Sequence, residues 1–273
     1  MAVKKKRPDD DLFKIEENAI APAGGSKYEQ IIRSVFFAHW YEGSTEFIFS
    51  REQIDGSSLG INPKNIGDII YTYRYRRALP DDILARAPEG HTWIIEGAGN
   101  ALYRFRAVKE SWFVPSNAEP IILPDRTPHD IIENTKDKDE QAILSIVNYN
   151  RLLDLFLRAR LERKQSHWRQ NVTGIGQIEI DDVYIGHSED GTKVVIPVQA
   201  KRDRDKISSV QIMQDVLACA AKNDGKVCRP VAVHWENSTE ILTFMEFGYD
   251  ESLRTVELIK ERRYLLKQPH AII

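Results

Sequence analysis

A chain of 273 residues is long for one small domain and leaves room for two, each with its own buried core. Hydrophobic residues at 42% and charged residues at 29% fit a globular protein and exclude a low-complexity or fibrous chain. Thirty-eight Lys and Arg against 41 Asp and Glu leave a formal net charge of −3, so a nucleic-acid partner would have to be held by local basic clusters and not by the global field.

The first residues, MAVKKKRPDDD, run from basic to acidic with no apolar stretch behind them, which is not a secretory signal. Residues 1–25 read as a disordered tail ending in Pro22-Ala-Gly-Gly. The segment 26–41 carries Tyr28, Ile31, Ile32, Val35, Phe36 and Trp40 at three- and four-residue steps, the pattern of a helix with one buried face. Ser26 is its expected N-cap, with Glu29 closing a capping box. A short helix is expected over 49–55, again with a serine cap (Ser50) and Gln53 three residues on. The stretch 61–80 opens on Asn62-Pro63, buries Ile66, Ile69, Ile70 and Tyr73, and ends at Leu79-Pro80. Residues 91–108 alternate on both sides of Gly97-Ala-Gly-Asn100 and predict a β-hairpin.

Three short helices followed by a hairpin is the order of a winged helix, with the third helix as groove reader and the hairpin as wing. Between residues 61 and 109 eight basic side chains face five acidic ones, a local excess of positive charge in a net-negative chain. The residues expected to touch DNA are Lys64, Asn65, Tyr71, Arg74 and Arg77 on the helix, and Arg104 and Arg106 on the hairpin. The winged-helix unit is assigned to 26–115 and a proline-rich linker to 116–138, leaving 139–273 for the second domain.

A long helix is expected over 139–165, with a buried stripe from Ile143 to Leu157 and a basic end at Arg158, Arg160, Arg163 and Lys164. The strands QIEIDDVYIG (177–186) and KVVIPVQAK (193–201) flank an Asp190-Gly191 turn and form a second hairpin. A helix over 207–223 and strands at 228–235 and 240–247 complete the pattern. Alternation places Glu179 and Asp181 on one face, Asp182 on the other, and Gln199 with Lys201 on one face of the partner strand. Two carboxylates, an amide and a lysine gathered this way are too polar for a core face, and their oxygens suit Mg²⁺, with Mn²⁺ as a substitute. Pro197 lacks an N–H for the ladder, so a bulge is expected just before this group. Gln211 and Gln214 on the following helix either face the site or are solvated. His234 and Trp235 read as packing residues.

This order of helix, acidic strand, turn, strand ending in Gln199-Ala200-Lys201 and helix resembles the PD-(D/E)XK nuclease superfamily over roughly residues 139–247. There are two departures: Ile180 stands where the family has proline, and Gln199 replaces its second acid, a variant known in the superfamily. The resemblance implies an α+β or α/β chain, a winged helix followed by a restriction-endonuclease-like domain with a central mixed sheet flanked by helices. It also implies a cytoplasmic, Mg²⁺-dependent DNA endonuclease of type II restriction kind, acting on double-stranded DNA as a homodimer. Asp181, Gln199 and the Ala200 carbonyl would hold the metal, and Lys201 would hold the attacking water or the developing charge. Glu179, Asp182 or Glu140 would supply a further carboxylate. The alternatives are an inactive DNA-binding regulator on the same fold and a protein-interaction module. The two cysteines, Cys219 and Cys228, lack metal-site companions and fit a reduced compartment without disulfides. No apolar run approaches the roughly 18 residues of a membrane span.

Overall fold

A computed structural model describes residues 25–54, 65–128, 140–222 and 225–267. The expected tail up to residue 24, the Asn62-Pro63 helix start and Lys64 lie outside the described residues. Helix α1 (Lys27–His39) opens on the capping box that Ser26 and Glu29 predict, each side chain bonding the other's backbone N–H. A strand the sequence reading lacks, β1 (Glu46–Ser50), follows. The turn after it, Arg51–Ile54, is 3₁₀, and Gln53 accepts the Ser50 N–H at 2.7 Å. Next come α2 (Ile66–Tyr75), a short unpredicted α3 (Asp81–Leu84), and the hairpin β2 (Thr92–Gly99) and β3 (Leu102–Val108). Strands β1, β3 and β2 form an antiparallel sheet in that order. EFIFS becomes a strand because Phe47 and Phe49 pair across to Phe105 and Tyr103 and bury against α1. At the centre Phe36 makes edge contacts with Phe47, Trp93 and Phe105 at 5.1–5.3 Å.

The segment expected as a linker is stitched into the fold. Within it β5 (Ile121–Pro124) runs parallel to β13 (Thr255–Lys267) at the edge of the large sheet, and just before it β4 (Trp112–Phe113) pairs with β9 (Ile207–Ser208). The expected long helix over 139–165 is a second correction. It is α4 (Glu140–Tyr149), a break, α5 (Leu152–Leu157), and then a fourteen-residue strand, β6 (Ala159–Val172). Arg151 and Arg158 take left-handed backbone values, φ 52° and 50°, and end the helical path at each point. Beyond Leu157 the helical stripe has nothing left to bury. Ala159 and Leu161 join the core as a strand whose N–H and C=O groups pair with β7 (Gly176–Ser188).

The large sheet has eight strands. Its order is β5-β13-β12-β11-β8-β7-β6, with β10 (Val227–Cys228) also on β8 (Lys193–Arg202). It is mixed: β8 runs parallel to β11 (Val231–Glu236), reached through α6 (Ser209–Ala220), while β12 (Ile241–Asp250) is antiparallel to both neighbours. One face packs Val194, Ile196, Val198 and Ala200 against α4 and α5. The other packs Val195 towards Ala218 and Cys219 of α6. A central strand apolar on both faces is what a doubly covered sheet requires.

Pro197 sits in β8 without the expected bulge. The β7–β8 register is continuous, and the pairings of β10 and β11 with β8 keep one register across an interruption that places Pro230 opposite Pro197. At this interruption the Arg229 N–H donates to the Val195 carbonyl at 3.0 Å, and the Pro230 carbonyl accepts from the Phe247 N–H of β12 at 3.0 Å.

The two halves pack closely. Ile94 and Val108 meet Val210 and Met213, the Tyr75 hydroxyl donates to Gln214 at 2.6 Å, and the Ser208 hydroxyl donates to the Arg74 carbonyl at 2.9 Å. Gly97 marks a close backbone approach between them, since a Cβ there would stand 2.7 Å from the Ile175 carbonyl oxygen.

Candidate functional site

The site forms where β7 and β8 part. Their pairing ends at Asp182↔Val198, and from Asp181 back to Gly176 strand β7 pairs with β6 alone. Strand β8 runs on to Arg202 beside β11. Ile180 and Val183 lie in the same apolar cluster although they are an odd number of residues apart, so β7 turns through Asp181-Asp182 and breaks its own alternation. His167 on the adjacent β6 has φ 47° at the same level. Two contacts bridge the gap: the Ala200 N–H donates to Asp181 Oδ2 at 2.8 Å, and Gln199 Nε2 donates to the Glu179 carbonyl at 3.3 Å.

Gln199 is fully buried. Its Nε2 also donates to Asp215 Oδ1 at 3.2 Å, and its Oε1 accepts from Gln211 Nε2 at 2.7 Å. Asp215, from α6, is 1% exposed, and its second oxygen, Oδ2, has no partner among the described residues. Burial pushes the Asp215 carboxyl well above the usual carboxylate range, opposed by the Gln199 hydrogen bond. Asp181 is raised as well, chiefly by burial, with the Lys201 ammonium and the Ala200 N–H working against the rise. Asp181, Asp215, Lys201, Gln211 and Glu140 all line one cavity of about 690 Å³.

The carboxylates separate into distinct roles. Glu179 lines the same cavity, but its carboxylate is held by Arg169 at 3.1 Å and His167 at 3.4 Å, and the Arg169 hydrogen bond lowers its pKa. It does not stand free to restore the charge missing at Gln199. Asp182 faces away, fully buried, accepting from Arg163 at 2.6 Å and Tyr184 at 3.3 Å. Glu140, at the start of α4, reaches the cavity. Among the described residues no three His, Cys, Asp or Glu side chains converge closely enough to hold a metal ion. A cation here would have the Asp181 and Asp215 carboxylates as its donors; the predicted ligands Gln199 and Ala200 are fully buried and do not line the cavity, and the Gln199 amide oxygen already accepts from Gln211. The orphaned Asp215 Oδ2 is the atom that fits such a ligand.

Comparison with protein-family models, curated proteins and solved structures finds no match to this chain. The site stands on its own geometry.

The expected DNA-contact residues divide. Asn65, Tyr71 and Arg77 are exposed on α2 or just beside it. Arg74 is half-buried, its guanidinium 5.0 Å from the Tyr75 ring centre, and its Nε and Nη2 have no partner among the described residues. The hairpin arginines are corrected by the structure. Arg106 is 6% exposed and bonds Glu96 at 2.9 Å, while Arg104 bonds the same carboxylate at 3.2 Å. Arg254 from the β12–β13 turn joins them at 3.3 Å. Glu96 is 3% exposed, so these cations serve a buried ion cluster and not an open wing.

Tyr71, Arg74 and Tyr75 line the same cavity as Asp181 and Lys201. Asp215 was legible in principle: Gln211, Gln214 and Asp215 fall at i, i+3 and i+4 on an otherwise apolar helix, one polar stripe beginning ten residues after Lys201. Gln211 and Gln214 do face the site. His234 is a packing residue, 5% exposed, its ring nitrogen 2.9 Å from the Asp203 carbonyl. Among the described residues no helix is long and apolar enough to cross a membrane.

Proposed function

We propose that the protein is a divalent-metal-dependent DNA endonuclease, a PD-(D/E)XK-type enzyme of the type II restriction kind, working as a cytoplasmic homodimer on double-stranded DNA. One observation carries the reading: a carboxylate (Asp181), a lysine (Lys201) and a buried, half-partnered carboxyl (Asp215) meet in one cavity where two paired strands part. Element order adds support. The run β6-β7-β8-α6-β11 keeps acidic strand, Gln-Ala-Lys strand, helix and parallel strand in sequence. The N-terminal half, with its β1-β3-β2 sheet, runs helix, strand, helices and hairpin, an order that supports reading it as a winged helix.

In this reading Asp181 and Asp215 would hold a divalent cation, which would supply polarisation of the scissile phosphate and a more acidic water. The chain's own groups do the rest. The Ala200 N–H fixes the Asp181 carboxylate, so that its second oxygen keeps one orientation. Gln211 and Asp215 clamp the Gln199 amide from both ends. Lys201 stands beside Asp181 as a cation already aimed at the charge that develops on phosphorus-bound oxygen. Burial of Asp181 and Asp215 thins the water around them and strengthens every charge interaction at the reacting phosphate.

A second reading, a DNA-binding regulator without cleavage, is favoured by one feature: both ends of the Gln199 amide are engaged inside the protein. Incubating mixed-sequence duplex DNA with Mg²⁺, with and without EDTA, separates the two. Metal-dependent cutting by the wild type and loss of at least about 10²-fold in Lys201→Ala is expected for the nuclease. DNA binding without cutting on any substrate supports the regulator. Binding that ignores salt would point to a protein partner, because phosphate contacts weaken steeply with salt.

A further inference from the structure

The cavity beside Asp181 carries more unsatisfied polarity than a cation needs. Besides Asp215 Oδ2, it is lined by Arg74, with Nε and Nη2 buried and unpartnered among the described residues, and by Gln141, whose Nε2 is likewise orphaned. Buried donors and acceptors left open on one cavity mark a ligand that supplies their partners. Part of the lining is aromatic. Tyr71 and Tyr75 of α2 stand edge to face, 5.1 Å between ring centres, and Tyr71 is 46% exposed.

A groove-reading helix should present its polar face to the outside of the molecule. Here part of that face turns inward: Tyr75 packs on α6 through Gln214, and Tyr71, Arg74 and Tyr75 line the cavity that holds Asp181 and Lys201, while Asn65 and Arg77 stay exposed. A volume of about 690 Å³ is that of a small-ligand pocket. A duplex keeps its bases stacked behind the backbone, so a base reaches such a pocket only after leaving the stack. The ingredients match one: π-faces for stacking, a guanidinium and amides for base edges or phosphate, and the lysine and carboxylates at the far end.

Resting on the nuclease reading, we infer that this cavity takes one unpaired nucleotide of the cleaved DNA strand. Its base lies against Tyr71 and Arg74 of α2, and its phosphate lies toward Asp181 and Lys201. In this arrangement α2 is a wall of the catalytic cavity and selects locally unpaired or extruded nucleotides.

The test uses the whole chain in EDTA, so that no cutting is required, and short DNA carrying one 2-aminopurine. The probe is presented as a single strand, as a bulge in a duplex and fully paired. The single strand and the bulge should bind about tenfold or more tighter than the paired duplex and quench the probe's fluorescence. Tyr71→Leu keeps apolar bulk at an exposed position, and should abolish the quench and weaken binding of the unpaired forms by about fivefold or more. Arg74→Ala should weaken them and lower the slope of log affinity against log salt by about one. Equal affinity for paired and unpaired forms with no fluorescence change overturns the inference and leaves the nuclease reading intact. So does a Tyr71→Leu protein that behaves as wild type. Failure to bind DNA in any form overturns both.

Discussion

Replacing Arg163 by alanine tests the least expected feature of the fold, the strand β6. Asp182 is fully buried, and its partners are Arg163 at 2.6 Å and the Tyr184 hydroxyl at 3.3 Å. Without Arg163 the carboxylate keeps one neutral hydrogen bond in an apolar surround. Breaking a buried pair from one side costs about 3–5 kcal/mol. The Arg163 side chain is 28% exposed, which places the expected loss at the lower end, about 3 kcal/mol. At about 2–4 °C per kcal/mol for a chain of this size, the melting temperature should fall by about 6–12 °C. Urea unfolding at pH 7 should show the midpoint moving with its slope unchanged. Arg163→Met combined with Asp182→Leu removes both charges and should recover most of the loss, because an apolar replacement of a buried pair is near neutral. A single-variant loss below about 1 kcal/mol, or a double variant as weak as the single, would refute the account of β6 as a strand anchored by this pair.

Other expectations follow from the same geometry. Asp215→Asn should cut metal-dependent cleavage by about 10²-fold or more while leaving the fold at least as stable, measured by cleavage rate and urea midpoint together. Glu96→Gln leaves Arg104, Arg106 and Arg254 around a neutral amide and should cost about 2–3 kcal/mol by urea denaturation; an unchanged midpoint would mean that the cluster holds nothing together. Burial holds the His234 imidazole below its ordinary pKa. The unfolded chain therefore takes up its proton first as pH falls, and stability is lost below about pH 6.5, the unfolded value, until the folded group also protonates. His234→Gln should flatten that part of the stability–pH curve, and a curve of unchanged steepness would refute the assignment.

The sequence by itself determined the pieces whose cause is local. The Ser26 capping box, the Ile69-Ile70-Tyr73 face of α2, the hairpin β2–β3, and the pairing of QIEIDDVYIG with VVIPVQAK all rest on periodicity, caps and turns within a few residues. That Asp181 and Lys201 share one cavity was suggested by the two neighbouring strands, but Gln199 is buried away from it and the strands part before these residues.

Tertiary structure decided whatever depended on a partner far along the chain. The segment from Ala159 to Val172 has basic, helix-compatible residues, yet it is a strand because β7 offers an open edge and Asp182 needs Arg163. The proline-rich segment supplies β5, and the residues just before it β4, because the edges at β13 and β9 lie open to them. Arg104 and Arg106, read as a basic wing, are drawn inward by Glu96 and Arg254, the latter about 150 residues away along the chain. Pro197 sits in β8 without a bulge, between a continuous pairing with β7 and the interrupted pairing with β10 and β11, a context no local pattern reveals. Asp215 belongs to the site only because α6 folds back over the gap between β7 and β8, where burial leaves one of its oxygens without a partner. Local pattern sets which faces are apolar. Which buried polar group answers which is settled only when the chain has closed on itself.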